Sequence, residues 1–519
     1  MIRFEDRMVR MSTGRFLRAT AIALIIGSIG SLVWVVSQRL TYPFALEWME
    51  GGLLQHAQRI RQGLHLYGPP SADFTPFPYP PLFPWLMSIL PGDAWSFTGP
   101  RLLALAGYLG VACCLWWLAR RQGVGRLWAS MGLAVWAGGF AFGGGWYDVA
   151  RADGWALFLH LAGACCLLGE GGRKRAAAAG VLFVLSGLAK QIGWPMGLLC
   201  AVAYTWQRKP GIAELWGAMI LGVVALILIL PSLFGDWTYF YIFEVLAGHD
   251  TGGSLADMGP KLVRVAPGGL LTFWVLAKVC RKSHPGYAEA PMLLAVVLGW
   301  LAVFVLGAVH AGAYDNVYLP ALLIAALGVI YAGGPLSRGG YPWPRMGSWV
   351  MGACLLQMVL LTYDPRSWVP TSEYTAACEA LDRQVAASTE PVLAPGHGYL
   401  LERHDLASGF HWMALFDLSA SGDGALGRKL VEEVELRLRK GLYPRAISDR
   451  MDGQEGVELD LSSWLGGFYS KSQLVHGRPG SKLEEKWMVG RRGRSRWDPP
   501  SGAPWSPQDA YSRPKLSSR

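Results

Sequence analysis

Residues 100–121 read Pro100-Arg-Leu-Leu-Ala-Leu-Ala-Gly-Tyr-Leu-Gly-Val-Ala-Cys-Cys-Leu-Trp-Trp-Leu-Ala-Arg120-Arg121, with no charge between Leu102 and Ala119. A helix needs about 20 apolar residues to span the hydrocarbon core of a bilayer. Arginines gathered at one end mark the cytoplasmic side. The pattern recurs. Apolar runs near 19–38, 100–119, 127–146, 154–169, 176–190, 192–207, 212–231, 266–280, 290–309, 317–333 and 346–363 predict eleven crossings. No small-residue cleavage site follows the first run, so it reads as a retained anchor rather than a signal peptide.

Sides follow from Lys and Arg. With Arg3, Arg7, Arg10, Arg15 and Arg18 inside, threading the runs puts Arg120/Arg121/Arg126, Arg173/Lys174/Arg175, Arg208/Lys209, Arg281/Lys282 and Arg338/Arg345 on that same side. Glu47, Glu50, Asp73, Asp93, Asp148, Asp153, Asp236, Glu244, Asp250 and Asp257 fall opposite. Arg59, Arg61, Lys261 and Arg264 are exceptions, all in the two longest outer loops.

Composition agrees. Hydrophobic residues make up 52% and charged residues 16%, against roughly 25% charge in a soluble domain. The net charge of +10 resides mostly in the short loop clusters, which argues against a nucleic-acid partner. Seven of the eight cysteines lie in apolar runs and Cys378 stands alone beyond them, so neither a disulfide framework nor a zinc site is expected.

Beyond Asp364 the chain turns polar. Short strands at Pro391–Ala394 and Ala446–Ser448 flank an amphipathic helix, Ala425–Lys440, with Leu426, Leu430, Val434 and Leu438 on one face. From about Gly490, Arg, Ser, Pro and Gly dominate, a composition that stays disordered. The expected fold is an all-α polytopic membrane protein, amino terminus inside and carboxy terminus outside, with a small external α/β domain. The boundaries are 1–18 cytoplasmic, 19–365 transmembrane, 366–489 external and 490–519 tail.

Candidate chemistry sits on the outer side. Glu47-Trp-Met-Glu50-Gly-Gly opens a segment in which Leu53, Leu54, Ala57 and Ile60 repeat at helical spacing. Such a helix is expected to lie in the membrane surface. Its two carboxylates stand at a helix amino terminus, which favours negative charge. They can act as a base or hold a divalent cation, or only complement the helix; the two readings are even. No cofactor is otherwise indicated. Asp148 and Arg151 are spaced to pair on one helix turn, and Asp153 heads the next run and can cap it. Lys190, between two apolar runs, can snorkel outward or meet an anionic headgroup. His249, His310 and Asn316 complete the outer polar set, each histidine reading first as a satisfied interface residue.

The order of features resembles the GT-C superfamily of polytopic glycosyltransferases, in particular bacterial relatives of protein mannosyltransferases and aminoarabinose transferases. The resemblance covers about residues 15–365. It rests on Glu47-Trp-Met-Glu50-Gly-Gly, Gly63-x-x-x-Tyr67, Tyr79-Pro-Pro-Leu82, Arg151-Ala-Asp153, Leu188-Ala-Lys190-Gln and Asn316-x-Tyr318-x-Pro320. It implies transfer of a sugar from a polyprenyl-phosphate carrier to a lipid, glycan or protein acceptor on the outer face of the plasma (inner) membrane, with inversion at the sugar. Glu50 is the closest match to the family's acidic residue in the first outer loop, and Glu47 the second. Asp153 matches the acid of the second outer loop, and Lys190 a basic position serving the lipid phosphate. Where the family has Lys-Pro-Pro this chain has Tyr79-Pro-Pro, so that phosphate contact is either lost or taken over by Arg151. Two rivals remain. A transporter or flippase needs charges near the bilayer midplane, whereas here they sit at span ends. A non-catalytic scaffold needs none of Glu50, Asp153 and Lys190 together.

Overall fold

The computed structural model describes residues 2–249, 255–281, 289–310, 314–337, 344–422, 424–452, 470–475 and 484–491. Asp250, Lys282 and Arg338, used above to assign sides, lie outside these, as does the expected tail from residue 492 on. Each apolar run carries a helix, from Ile2–Arg39 to Pro344–Leu360. Among the described residues five helices are long and apolar enough to cross a bilayer: Arg15–Arg39, Thr98–Arg121, Ile212–Phe234, Ala290–Val309 and Asp315–Gly334. Asp153–Leu167, Ala266–Val279 and Gly347–Leu360 are shorter apolar helices.

One expected run is broken. The helix from Arg126 stops at Gly138 rather than reaching 146. Gly144 and Gly145 then take φ of +81° and +74°, a left-handed backbone that glycine adopts without steric cost. Residues 146–152 form turns and bends. Asp148 and Arg151 therefore do not share a helix turn, contrary to expectation. Asp153 is the first residue of helix Asp153–Leu167, and Ala152 occupies the cap position.

The chain divides into two units; one boundary falls at residue 365, and the unit beyond it also takes in Gln38–Arg101 and Leu226–Thr251. One comprises Met1–Ser37, Leu102–Ala225 and Gly252–Pro365. Its helices approach closely at small residues, the usual device of membrane interfaces. A Cβ at Gly163 or Gly197 would strike the Phe183 ring, and one at Gly107 would strike the backbone of Trp155. Deep among these helices, Trp300 Nε1–H donates to His160 Nδ1 at 3.2 Å, and His160 Nε2 lies 3.5 Å from Cys200 Sγ.

The other unit comprises Gln38–Arg101, Leu226–Thr251 and Arg366–Arg519. Its sheet has strands β1 (Val392–Leu393), β2 (Arg445–Asp452), β3 (Ser470–Val475) and β4 (Glu484–Arg491), ordered β1-β2-β4-β3. β1 and β2 run parallel, and the other pairs antiparallel. The two strands expected from sequence are β1 and the start of β2; β3 and β4 were not foreseen. Helix Ala425–Arg439 buries Leu430, Val431, Val434 and Leu438, close to the expected apolar face.

The first-loop helix runs Trp48–Arg61, and every residue from Trp48 to Ala57 is buried. A helix resting on a membrane surface keeps one face in water, so its first three turns do not lie as expected. Gly51 and Gly52 explain the closure. A Cβ at Gly51 would sit 2.2 Å from the Tyr399 ring, and one at Gly52 would sit 2.5 Å from the Phe77 ring. The supposed polar face is covered too: Gln55 Nε2 donates to Glu402 at 2.7 Å. Later in this unit Pro231 interrupts helix Ile212–Phe234. Proline has no N–H for the carbonyl four residues back, and the Tyr239 hydroxyl donates to that Ile227 oxygen at 2.5 Å instead.

Candidate active site

In the first unit, Asp153, Lys190, Asn316 and Arg151 converge. Lys190 ends helix Arg173–Ala189 as its C-cap. Its backbone N–H returns to Ser186 O at 3.0 Å. Lys190 Nζ donates to Asp153 Oδ1 at 2.6 Å. Asn316, in the short 3-10 turn Asp315–Tyr318, donates through Nδ2 to the same oxygen at 2.9 Å. Arg151 Nε stands 3.7 Å from Asp153 Oδ2 and stacks its guanidinium 4.3 Å over Trp146. Asp153 and Arg151 are each 6% exposed at the side chain, and Lys190 is 16% exposed. Lys190 thus neither snorkels freely nor waits unpaired; it belongs to a pair of cations gathered on one carboxylate. Buried charge survives only where it is paired.

Beneath this cluster the Tyr108 ring stacks on Tyr147 at 4.3 Å. Gly154 admits it, since a Cβ there would lie 2.6 Å from the Tyr108 ring. Asp148 is buried in the preceding turn. Asp315 pairs with Lys261, which also lies 5.3 Å from the Tyr318 ring. His310 caps the end of helix Ala290–Val309, half-buried.

In the second unit, Glu50 has no exposed side-chain surface. Its Oε1 accepts from Arg101 Nε at 2.9 Å and its Oε2 from Arg101 Nη2 at 2.8 Å, while Leu46 N–H adds a further bond to Oε2 at 2.8 Å. Glu47 is the N-cap of the same helix, with Oε2 accepting from Met49 N–H at 3.1 Å. It lines a small pocket with Tyr374, Cys378, His397 and Tyr399, with room for about one water molecule. Burial pushes the Tyr399 hydroxyl up, so it stays protonated. Tyr79 is half-buried, and its carbonyl receives the Tyr67 hydroxyl. His249 is buried against Asp417, its Nε2 2.9 Å from the backbone oxygen.

Two buried histidines brace the loop. His56 donates from Nδ1 to Gly52 O at 2.6 Å and accepts at Nε2 from Phe77 N–H at 2.9 Å. His411 donates from Nε2 to Trp48 O at 3.0 Å and accepts at Nδ1 from Met413 N–H at 3.1 Å. Burial, first of all, pushes His56 from 6.5 down to about 3. With the folded value below the unfolded one, its contribution to stability is complete above pH 6.5 and is lost as pH falls toward 3. About 2 kcal/mol should disappear between pH 6.5 and 5. We expect the melting temperature of the detergent-solubilised protein to fall over that interval, and less steeply in His56→Gln. Parallel slopes would remove this role for His56.

Sequence reading missed Arg101. Its signal was present: an arginine just inside the apolar run of 100–119 is costly unless paired.

No family model matches the chain, and no curated protein sequence matches it. Solved structures do. The crystal structure of ArnT from Cupriavidus metallidurans bound to undecaprenyl phosphate aligns over 92% of this chain and 98% of its own, with a TM-score of 0.52 and 13% identity. The chain has the fold of ArnT. The apo state of ArnT aligns over 93% and 98%, with a TM-score of 0.49 and 14% identity. At such identity the likeness to ArnT is one of fold. It agrees with the GT-C resemblance drawn from the motifs, and with five helices among the described residues apolar enough to cross a bilayer it describes a multi-pass membrane protein.

Proposed function

We propose that the chain is a glycosyltransferase that moves a sugar from a polyprenyl-phosphate-linked donor to an acceptor on the outer face of the membrane. The observation that carries this reading is the Asp153–Lys190–Asn316–Arg151 cluster in a chain with the ArnT fold, ArnT itself having been solved with undecaprenyl phosphate. Lys190 and Arg151 are the cations that take the phosphate of the donor, and Asp153 holds both in place beforehand. In the reaction the acceptor oxygen forms a bond to the anomeric carbon as the carbon–oxygen bond to phosphate breaks. The electron pair stays on the departing polyprenyl phosphate, whose growing charge Lys190 and Arg151 offset. The acceptor proton goes to a carboxylate acting as general base. One direct displacement inverts the sugar. We assign the base to Glu47 rather than Glu50, because both Glu50 oxygens are occupied by Arg101.

Eleven crossings, the outward placement of the carboxy-terminal unit and the division at residues 18, 365 and 489 belong to this proposal. The remaining polar assignments, Asp148, Tyr79, His249 and His310, are donor or acceptor contacts within it. The test is release of polyprenyl phosphate from a panel of labelled polyprenyl-phosphate sugars by wild type in liposomes, with a range of acceptors. Release that depends on protein and acceptor is expected. Solute movement across the vesicle wall without donor cleavage would replace the enzyme with a transporter.

A further inference from the structure

We infer that Arg101 is a positioning residue for the candidate base Glu47, acting through Glu50; the inference rests on the function proposed above. A guanidinium offers five N–H donors in a rigid fork. In Arg101 all five are used. Besides the two bonds to Glu50, Nη1 donates to Arg39 O at 2.8 Å and to Tyr42 O at 2.6 Å, and Nη2 donates to Phe44 O at 2.7 Å. Its side chain has no exposed surface, and the Phe97 ring covers it at 4.8 Å.

These acceptors surround Glu47 in the chain. Arg39, Tyr42 and Phe44 lie on the segment leading into it, and Glu50 lies on the first turn of the helix leading out. Glu50 also takes the N–H of Leu46, the residue just before Glu47. Glu50 N–H in turn bonds to Glu47 O at 3.1 Å. One side chain thus ties both arms of the bend at whose apex Glu47 stands. The Glu47 backbone is extended there, at φ −149° and ψ 149°, and its carboxylate, buried, caps the helix while Glu47 lines the pocket with His397 and Tyr399. Lysine has the charge but not the fork, so it cannot replace all five bonds.

The test uses full-length protein in liposomes and compares wild type, Glu47→Gln, Glu50→Gln, Arg101→Lys and the Glu50→Gln/Arg101→Lys double variant. Donor cleavage is followed against pH, and amide exchange over residues 46–53 is followed by mass spectrometry. A misplacement of about 1 Å costs on the order of 10²-fold in rate. Glu50→Gln, Arg101→Lys and the double variant should each lose about that much in kcat, with donor KM unchanged and no multiplication in the double. The acidic limb of the pH profile should persist in all three and vanish only in Glu47→Gln. Exchange over 46–53 should quicken in the three, while helix Ala425–Arg439 stays protected, which marks the variants as folded. Loss of the acidic limb in Glu50→Gln alone would make Glu50 the base and overturn the inference. Unchanged exchange alongside lost activity would overturn it as well. A wild type that cleaves no donor removes the proposed function but leaves the exchange result to support the clamp.

Discussion

Glu47→Gln is expected to lower polyprenyl-phosphate release by roughly 10²- to 10⁴-fold, the range that a positioned general base contributes. Glutamine keeps an oxygen that can accept the Met49 N–H, so the 3.1 Å cap bond survives the change. The neighbouring Glu50–Arg101 pair is untouched. What the change removes is the ability to take a proton, so the folded variant should bind donor as before and fail at the chemical step. Single-turnover release with excess enzyme checks this without interference from product dissociation. Activity within a few-fold of wild type, in a variant with unchanged melting temperature, would move the base to Asp153. That outcome would be a surprising one chemically, since Asp153 already carries Lys190 at 2.6 Å and Arg151 at 3.7 Å.

The second large effect concerns the Lys190–Asp153 pair, and here stability and activity should part company. Removing one member of a buried ion pair strands the other charge, at a cost of about 3–5 kcal/mol. The low end applies, because Lys190 is partly exposed and Asp153 keeps Arg151 and Asn316. Lys190→Met and Asp153→Asn should each lower the melting temperature in detergent. The double variant holds no unpaired charge between the two sites and should recover much of the loss, since neighbouring changes couple by about 0.5–3 kcal/mol. Its activity should not recover. If Lys190 offsets charge on the phosphate, release stays down by roughly 10²- to 10³-fold, as when one electrostatic donor is deleted from a reaction site. A double variant that regains both stability and turnover would reduce Lys190 to a structural counter-ion.

Much of this architecture could be read from the chain because its signals are local. A run such as Leu102–Ala119 is long, apolar and uncharged, and no soluble element needs that. Helix Ala425–Arg439 was legible for the same reason, its apolar positions repeating at the helical period. Asp153 and Lys190 were picked as charges at the ends of runs, but their pairing across 37 positions is a tertiary fact that spacing does not carry. The Asp148–Arg151 spacing misled because Gly144 and Gly145 turn the backbone before a helix can form. Glu50 and Glu47 look alike in sequence, and the bidentate bond of Glu50 to Arg101 is likewise a tertiary fact that spacing does not carry. Strands Ser470–Val475 and Glu484–Arg491 escaped because polar residues make up much of them, leaving no apolar run to mark them.

The four cations that broke the charge rule also find reasons in the fold. Arg59 donates to His65 O, Arg61 to Ser88 O and Leu90 O, and Arg264 to Leu360 O, while Lys261 pairs with Asp315. Each is tied by local geometry, and a rule based on charge counts does not see that.

The Arg101 fork has a consequence for the order in which the chain is made. Synthesis delivers residues 39–50 first, and all five acceptor oxygens belong to that earlier segment. Until Arg101 emerges, Glu50 lacks the two guanidinium bonds it makes in the folded protein, and burying its carboxylate without them is unfavourable. The loop therefore gains its five bonds to Arg101 only once the first turn of helix Thr98–Arg121 has been made. A nascent chain that ends short of Arg101 lacks the donor on which residues 39–50 close, so the start of the second long helix completes the fold of that earlier segment.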